Sequence, residues 1–204
     1  MLQWNTYSML PKHKYLLTYR YAEIIHDLTV QFCETFLRNT SYLGNLGNIP
    51  QRRTIDQMVQ AARSGKQNII EGVGQGKTSK KGEIKLLGVA NASFEELTAD
   101  YEDFLRQRNL SIWVKTDPRI GAIRKRAFIL TNLSNLSNLG TLVVKPTLPQ
   151  NQERAANTLL TLCHQVTYLL GKQIARMEEL FIEQGGYTEE LFKKRLEKRK
   201  RMSL

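Results

Sequence analysis

At 204 residues the chain is long enough to bury one sizeable core without disulfides or metals, and it does not require a second domain. Its 30 Lys and Arg against 19 Asp and Glu give a formal charge of +11, which favours polyanionic partners, nucleic acid first and anionic membrane second. The two cysteines, Cys33 and Cys163, exclude a disulfide framework, no apolar run approaches the roughly 20 residues that span a bilayer, and Met1 to Tyr15 lacks a signal-peptide core, so a reduced, cytoplasmic setting is expected.

Four segments carry apolar residues at the three-and-four spacing of an amphipathic helix. The first holds Leu17, Tyr21, Ile24, Leu28 and Phe32. The second begins near Arg53, holds Ile55, Met58, Val59, Ala62, Ile69 and Val73, and is expected to stop at Gly72, Gly74 and Gly76. Thr78 or Ser79 can cap the third, which holds Ile84, Leu87, Ala90, Phe94, Leu97, Tyr101 and Leu105. The fourth holds Ala155, Leu159, Leu162, Val166, Leu169, Met177 and Leu180, and ends at Gly185 and Gly186. A loop around Leu43 to Pro50 joins the first two and a glycine turn joins the next two, so neighbours should run antiparallel.

Between the third and fourth stripes, Asp117 and Pro118 predict the start of a short basic helix through Arg119, Arg124, Lys125 and Arg126. Beyond it, Leu130, Leu133, Leu136, Leu139 and Leu142 recur every three residues, a period that drifts around a helix and makes no single stripe. This run, and the related Leu43 to Asn48, read as loop-lengthening inserts that the fold tolerates. The suffix carries Lys193, Lys194, Arg195, Lys198, Arg199, Lys200 and Arg201 and is expected to be solvated and frayed. The expected fold is therefore all-α: an antiparallel up-down four-helix bundle over residues 12–185, with an insert at about 130–150 and an extra helix between the third and fourth. A basic helical suffix covers 186–204.

Enzymatic motifs are absent or fail on spacing. Glu71 to Thr78 imitates a phosphate-binding loop, but Glu71 stands where glycine is needed and a helix precedes it instead of a strand. His13, His26 and His164 are isolated, and Cys163 and His164 point about 100° apart on a helix, so a surface or edge role is expected for both. No catalytic residue, metal site or cofactor is expected. Four polar residues fall on or beside the apolar stripes: Lys66, Asn91, Thr98 and Gln173. Either they bond one another as a register-fixing layer or they face a second subunit or pore.

The candidate binding residues are cations in separate groups. Arg52, Arg53 and Arg63 mark the second stripe; Lys77, Lys80, Lys81 and Lys85 crowd the start of the third; Arg124, Lys125 and Arg126 lie on the short helix. Lysines at a helix N-terminus oppose its dipole, so another pressure should place them there, and a phosphate backbone would supply it. Few aromatics interleave with these groups, which favours backbone contact over base stacking.

Asn68 to Gly72, followed by Ser79, Glu83, Leu87, Ala90, Ser93 and Glu96, resembles the four-helix-bundle protein family of ribosomal-RNA intervening sequences and of accessory variability proteins of diversity-generating retroelements. The resemblance covers Leu17 to Arg106 and Asn151 to Gln184, and Arg53 to Gln57, Gly65 to Asn68 and Glu183 to Tyr187 look like its suffix-bearing subgroup. It implies a homo-oligomeric ring, a pentamer, with a positive surface, and in the retroelement branch an accessory that binds a reverse transcriptase and its RNA to support cDNA synthesis. The functional expectation is thus a non-enzymatic accessory protein that binds RNA or DNA phosphates, without a membrane partner. The alternative is a protein-binding scaffold without nucleic acid, and an enzyme remains only if a cofactor fills the bundle interior.

Overall fold

Residues 10–38, 48–137 and 140–202 are described by a computed structural model, and every regular element among them is helical. Helix α1 is Leu17–Phe32 and runs on through one wider turn, Cys33–Leu37. It is followed by α2 (Asn48–Gln75), α3 (Lys80–Gln107), α4 (Pro118–Leu130), α5 (Gln152–Gln184) and α6 (Tyr187–Met202). The described residues hold no strand, only an isolated antiparallel bridge between Leu136 and Leu142. None of their helices is long and apolar enough to cross a membrane.

Local chemistry sets most boundaries. Ser79 caps α3, its Oγ accepting from Gly82 N at 3.0 Å, and Asn151 caps α5 by accepting from Arg154 N at 2.9 Å. Asp117 caps α4 with Pro118 in the first turn. Gly185, at φ 75°, ends α5 in a conformation that costs glycine nothing, and its N–H reaches Phe181 O at 2.9 Å. Helix α2 starts earlier than its apolar stripe suggested and ends within the expected glycine cluster. It starts before Arg53, with Pro50 in a first turn where the missing N–H is unneeded, and it runs through Gly72 and Gly74 to Gln75. Each interior glycine costs only about 1 kcal/mol, which packing along α3 offsets. Most of the Leu43 to Asn48 repeat, and Leu139, lie outside the described residues.

Four helices pack in a closed circuit, α1 on α2, α2 on α3, α3 on α5 and α5 on α1. Side-chain pairs give the directions. Rising numbers on α2 meet falling numbers on α3, from Ser64 beside Ser93 (3.0 Å) to Gly72 beside Leu87 and Glu83. On α1 and α5, Thr18 donates to Gln173 Oε1 at 2.8 Å, while Gln31 accepts from Leu148 N, just ahead of α5, at 3.3 Å. The shared core includes Ile24, Ile25, Phe32, Met58, Ile69, Leu87, Phe94, Leu97, Tyr101, Leu105, Leu159 and Leu170, all essentially inaccessible. Phe32 stands edge-on to Tyr101 and Phe104 at 5.2 and 4.7 Å. Tyr101 OH donates to Thr29 Oγ1 at 2.9 Å, so its buried hydroxyl is satisfied across the core.

Several expectations need correction. Leu17 is exposed at the lip of α1, and Cys163 is fully buried while His164 beside it is exposed. Lys66, Asn91, Thr98 and Gln173 do not bond one another. Lys66 Nζ lies 3.3 Å from His26 Nδ1, Asn91 donates to Glu95, Thr98 to Phe94 O, and Gln173 accepts from Thr18. Asn91 and Thr98 bond within α3, whereas Lys66 and Gln173 find partners on α1 that helical spacing alone could not assign. The leucine run is tied down: Asn135, buried, donates to Leu130 O at 2.9 Å and accepts from Val144 N at 2.8 Å. The suffix is helical and solvated as expected, with no buried residue over Tyr187–Met202, but it is continuous there instead of frayed.

Candidate nucleic-acid interface

Helix α5 has two working faces. Ala155, Leu159, Leu162, Val166 and Leu170 turn to the core, whereas Asn157, Leu160, Thr161, His164, Gln165 and Tyr168 make a second stripe at the same spacing. Helix α4 and the connector ahead of it lie along that stripe and leave a cleft of 590 Å³.

The connector is pinned by Asn157, which is 1 % exposed. Its Oδ1 accepts from Trp113 N at 2.8 Å, and its Nδ2 donates to Ser111 O and Glu153 O at 2.9 Å. Trp113 Nε1 donates to Glu153 Oε1 at 2.8 Å, and the Arg119 guanidinium carbon lies 3.7 Å from the Trp113 ring centroid. Asp117 in turn holds Arg119 with paired bonds of 3.0 and 2.7 Å, and this pairing keeps the Asp117 carboxyl below the usual range. At the other end of α4, Arg20 is buried with no carboxylate partner among the described residues. It donates to Thr131 O at 2.6 Å and Lys14 O at 2.9 Å, a cation at the negative end of α4, and burial lowers its pKa. The cleft wall is therefore fixed at both ends.

The predicted cations fall in three places. Arg52, Arg53 and Arg63 are exposed on α2, but Arg52 and Arg53 share a 730 Å³ cleft with the carboxylates of Asp56 and Glu96. Lys77 and Lys80 line the joint between α5 and α6, facing Glu190; Lys81 and Lys85 are exposed nearby on α3. Arg124 lines the α4–α5 cleft, Lys125 is exposed, and Arg126 donates to Thr147 at 2.7 Å. Arg53 stands about 33 Å from the end of α2 at about 1.5 Å per residue, so the first and second groups do not form one patch. Lys80, 3.7 Å from Glu83, is the one predicted cation in an ion pair among the described residues.

Aromatic partners were missed in the sequence because they come from other elements. Tyr168, 64 % exposed, and Trp113 join Arg124 and Lys115 at one cleft although they lie up to 55 positions apart in the chain. A second three-and-four stripe on the fourth helix, Asn157 through Tyr168, was the available signal.

Burial raises the Cys33 thiol to about 12 and pushes Cys163 up as well, which keeps both protonated and poorly nucleophilic. Among the described residues no cluster of His, Cys, Asp and Glu has the composition of a metal site. Comparison of the chain with protein-family models, curated proteins and solved structures gives no match.

Proposed function

We propose that this chain is a non-enzymatic accessory protein that binds nucleic acid through its phosphates, with RNA or an RNA–protein complex as partner. Its frame is an antiparallel up-down four-helix bundle of α1, α2, α3 and α5, with α4 as the extra helix and α6 as the basic suffix; the closed circuit of antiparallel contacts supports that frame. The observation that carries the functional reading is electrostatic. Nine of the ten predicted cations stand at the surface or a cleft rim without an ion-pair partner among the described residues, and all of these but Arg52 and Arg53, which share a cleft with Asp56 and Glu96, hold charge free to meet phosphate. The family resemblance adds a homo-oligomeric ring and a reverse transcriptase as partner.

Affinity for RNA should fall by orders of magnitude between about 50 and 200 mM salt if about six phosphates are neutralised. A flat salt dependence would remove the reading. Paired Lys80→Glu and Lys81→Glu substitutions should weaken RNA binding and reduce the salt slope. Light scattering with and without RNA tests the assembly. A protein-binding scaffold is the second reading, favoured by apolar side chains left exposed toward and along α6, Ile182 at 82 % and Phe192 at 61 %. Under it, partner binding is untouched by the double lysine substitution.

A further inference from the structure

We infer that the cleft between α4 and α5 holds one unstacked base of a single-stranded nucleic acid, with Arg124 and Lys115 meeting the adjoining phosphates. This rests on the nucleic-acid reading above and makes it more specific: a strand with free bases, not a duplex.

The cleft volume of 590 Å³ is in the range of small-ligand cavities, about 300–1,000 Å³, and suits a flat ring better than a helical backbone. Its composition is that of a stacking platform. Tyr168 offers an exposed ring with Lys172 Nζ 5.8 Å from its centroid, and Trp113 is an immobile wall because its backbone N–H, indole N–H and ring face are already engaged. Among the described residues two cations line the cleft and no carboxylate does, in contrast to the cleft at Arg52, where Asp56 and Glu96 would repel a phosphate. Arg124 and Lys115 have no ion-pair partner among the described residues. Gln165 contributes a buried side-chain oxygen that accepts no hydrogen bond, a polar group still open to a base edge through rotation of its amide. Next to Arg124, exposed Lys125 continues the positive surface along α4, so a strand longer than one nucleotide gains further phosphate contacts. A paired base reaches a concave site only after it is flipped out of the duplex at a cost of a few kcal/mol, whereas the bases of a single strand are splayed into it without that cost.

The test uses the full chain carrying Trp4→Phe, so that Trp113 is the sole tryptophan. It is titrated at fixed salt with a single-stranded oligouridylate of about ten nucleotides, an abasic strand of equal length, and uridine monophosphate. The normal strand should change Trp113 emission and bind more tightly than the abasic strand. Tyr168→Ala, at an exposed position, should weaken the normal strand about ten-fold or more while leaving the abasic strand unchanged. Arg124→Gln should weaken both. Equal binding of normal and abasic strands, indifferent to Tyr168→Ala, would overturn the base pocket and leave phosphate binding standing. If neither strand binds, both readings fall. Uridine monophosphate binding as tightly as the strand, with the same loss on Tyr168→Ala, would make this a small-molecule pocket and overturn the strand.

Discussion

Gly65 and Gly88 lie on adjoining helices and should respond oppositely to the same substitution. A Cβ on Gly65 would sit 2.5 Å from Phe94 Cζ, and that ring is wholly buried, so Gly65→Ala forces the core apart. Overpacking of this kind costs about 1–3 kcal/mol, more than the roughly 1 kcal/mol that alanine gains in a helix. A Cβ on Gly88 meets nothing within 4 Å, so Gly88→Ala should stabilise by about 0.5–1 kcal/mol. Urea unfolding of both variants checks the signs. Asp100 supplies a pH test. Burial, then the charges of Glu96 and Asp103, raises its pKa to about 6, so the native chain holds this proton to higher pH than the unfolded chain does. Its contribution to stability therefore declines as pH rises from the usual carboxylate range through about 6. Asp100→Asn should stabilise by roughly 1 kcal/mol at neutral pH, a value reduced for partial exposure, and by little near pH 4. Unfolding midpoints at the two pH values measure the difference.

At the scale of elements, the leucine run between α4 and α5 acts as a brace. The three-residue period forbids a continuous apolar stripe, so the chain turns, and Asn135 takes over the hydrogen bonding that a helix would have supplied. Leu130 is buried, and Leu142 packs against the core. Arg20 fastens the same corner through Thr131 O. Deleting Asn132 to Val143 should therefore lower the thermal midpoint by several degrees, since losing a buried hydrogen-bonded group costs about 1–3 kcal/mol and about 2–4 °C follows from each kcal/mol in a chain of this size. An unchanged midpoint would return this segment to the status of a tolerated insert. Asn157 performs the equivalent task for the connector before α4, so both ends of the cleft wall depend on one buried amide or guanidinium each.

Across the whole molecule the cations are dispersed, and separate surfaces must share any long polyanion. The α4–α5 cleft lies beside the N-terminal half of α5, whereas the Lys77 and Lys80 joint lies at its C-terminal end. Helix α6 adds further cations and buries none of its own side chains. Removing 187–202 should leave the thermal midpoint within about 2 °C, because a terminal helix with no buried residue contributes little to folding, and should flatten the salt dependence of RNA binding. Loss of cooperative unfolding in the truncated chain would show that α6 is integral to the fold.

Helix placement was legible in the residues themselves. Three-and-four spacing, the caps Ser79 and Asp117 and the stop at Gly185 are local features, set by backbone hydrogen bonding within a few positions. So were the charge excess and the short helix at Pro118. Contacts between distant positions were not legible: the His26 partner of Lys66, the clamp of Asn157 on Trp113, and the meeting of Trp113, Arg124 and Tyr168 at one cleft. Periodicity specifies which face of a helix is apolar. Which other helix meets that face, and at what height, is decided only when all the faces pack together, because burial energy is non-directional and many pairings satisfy the same pattern.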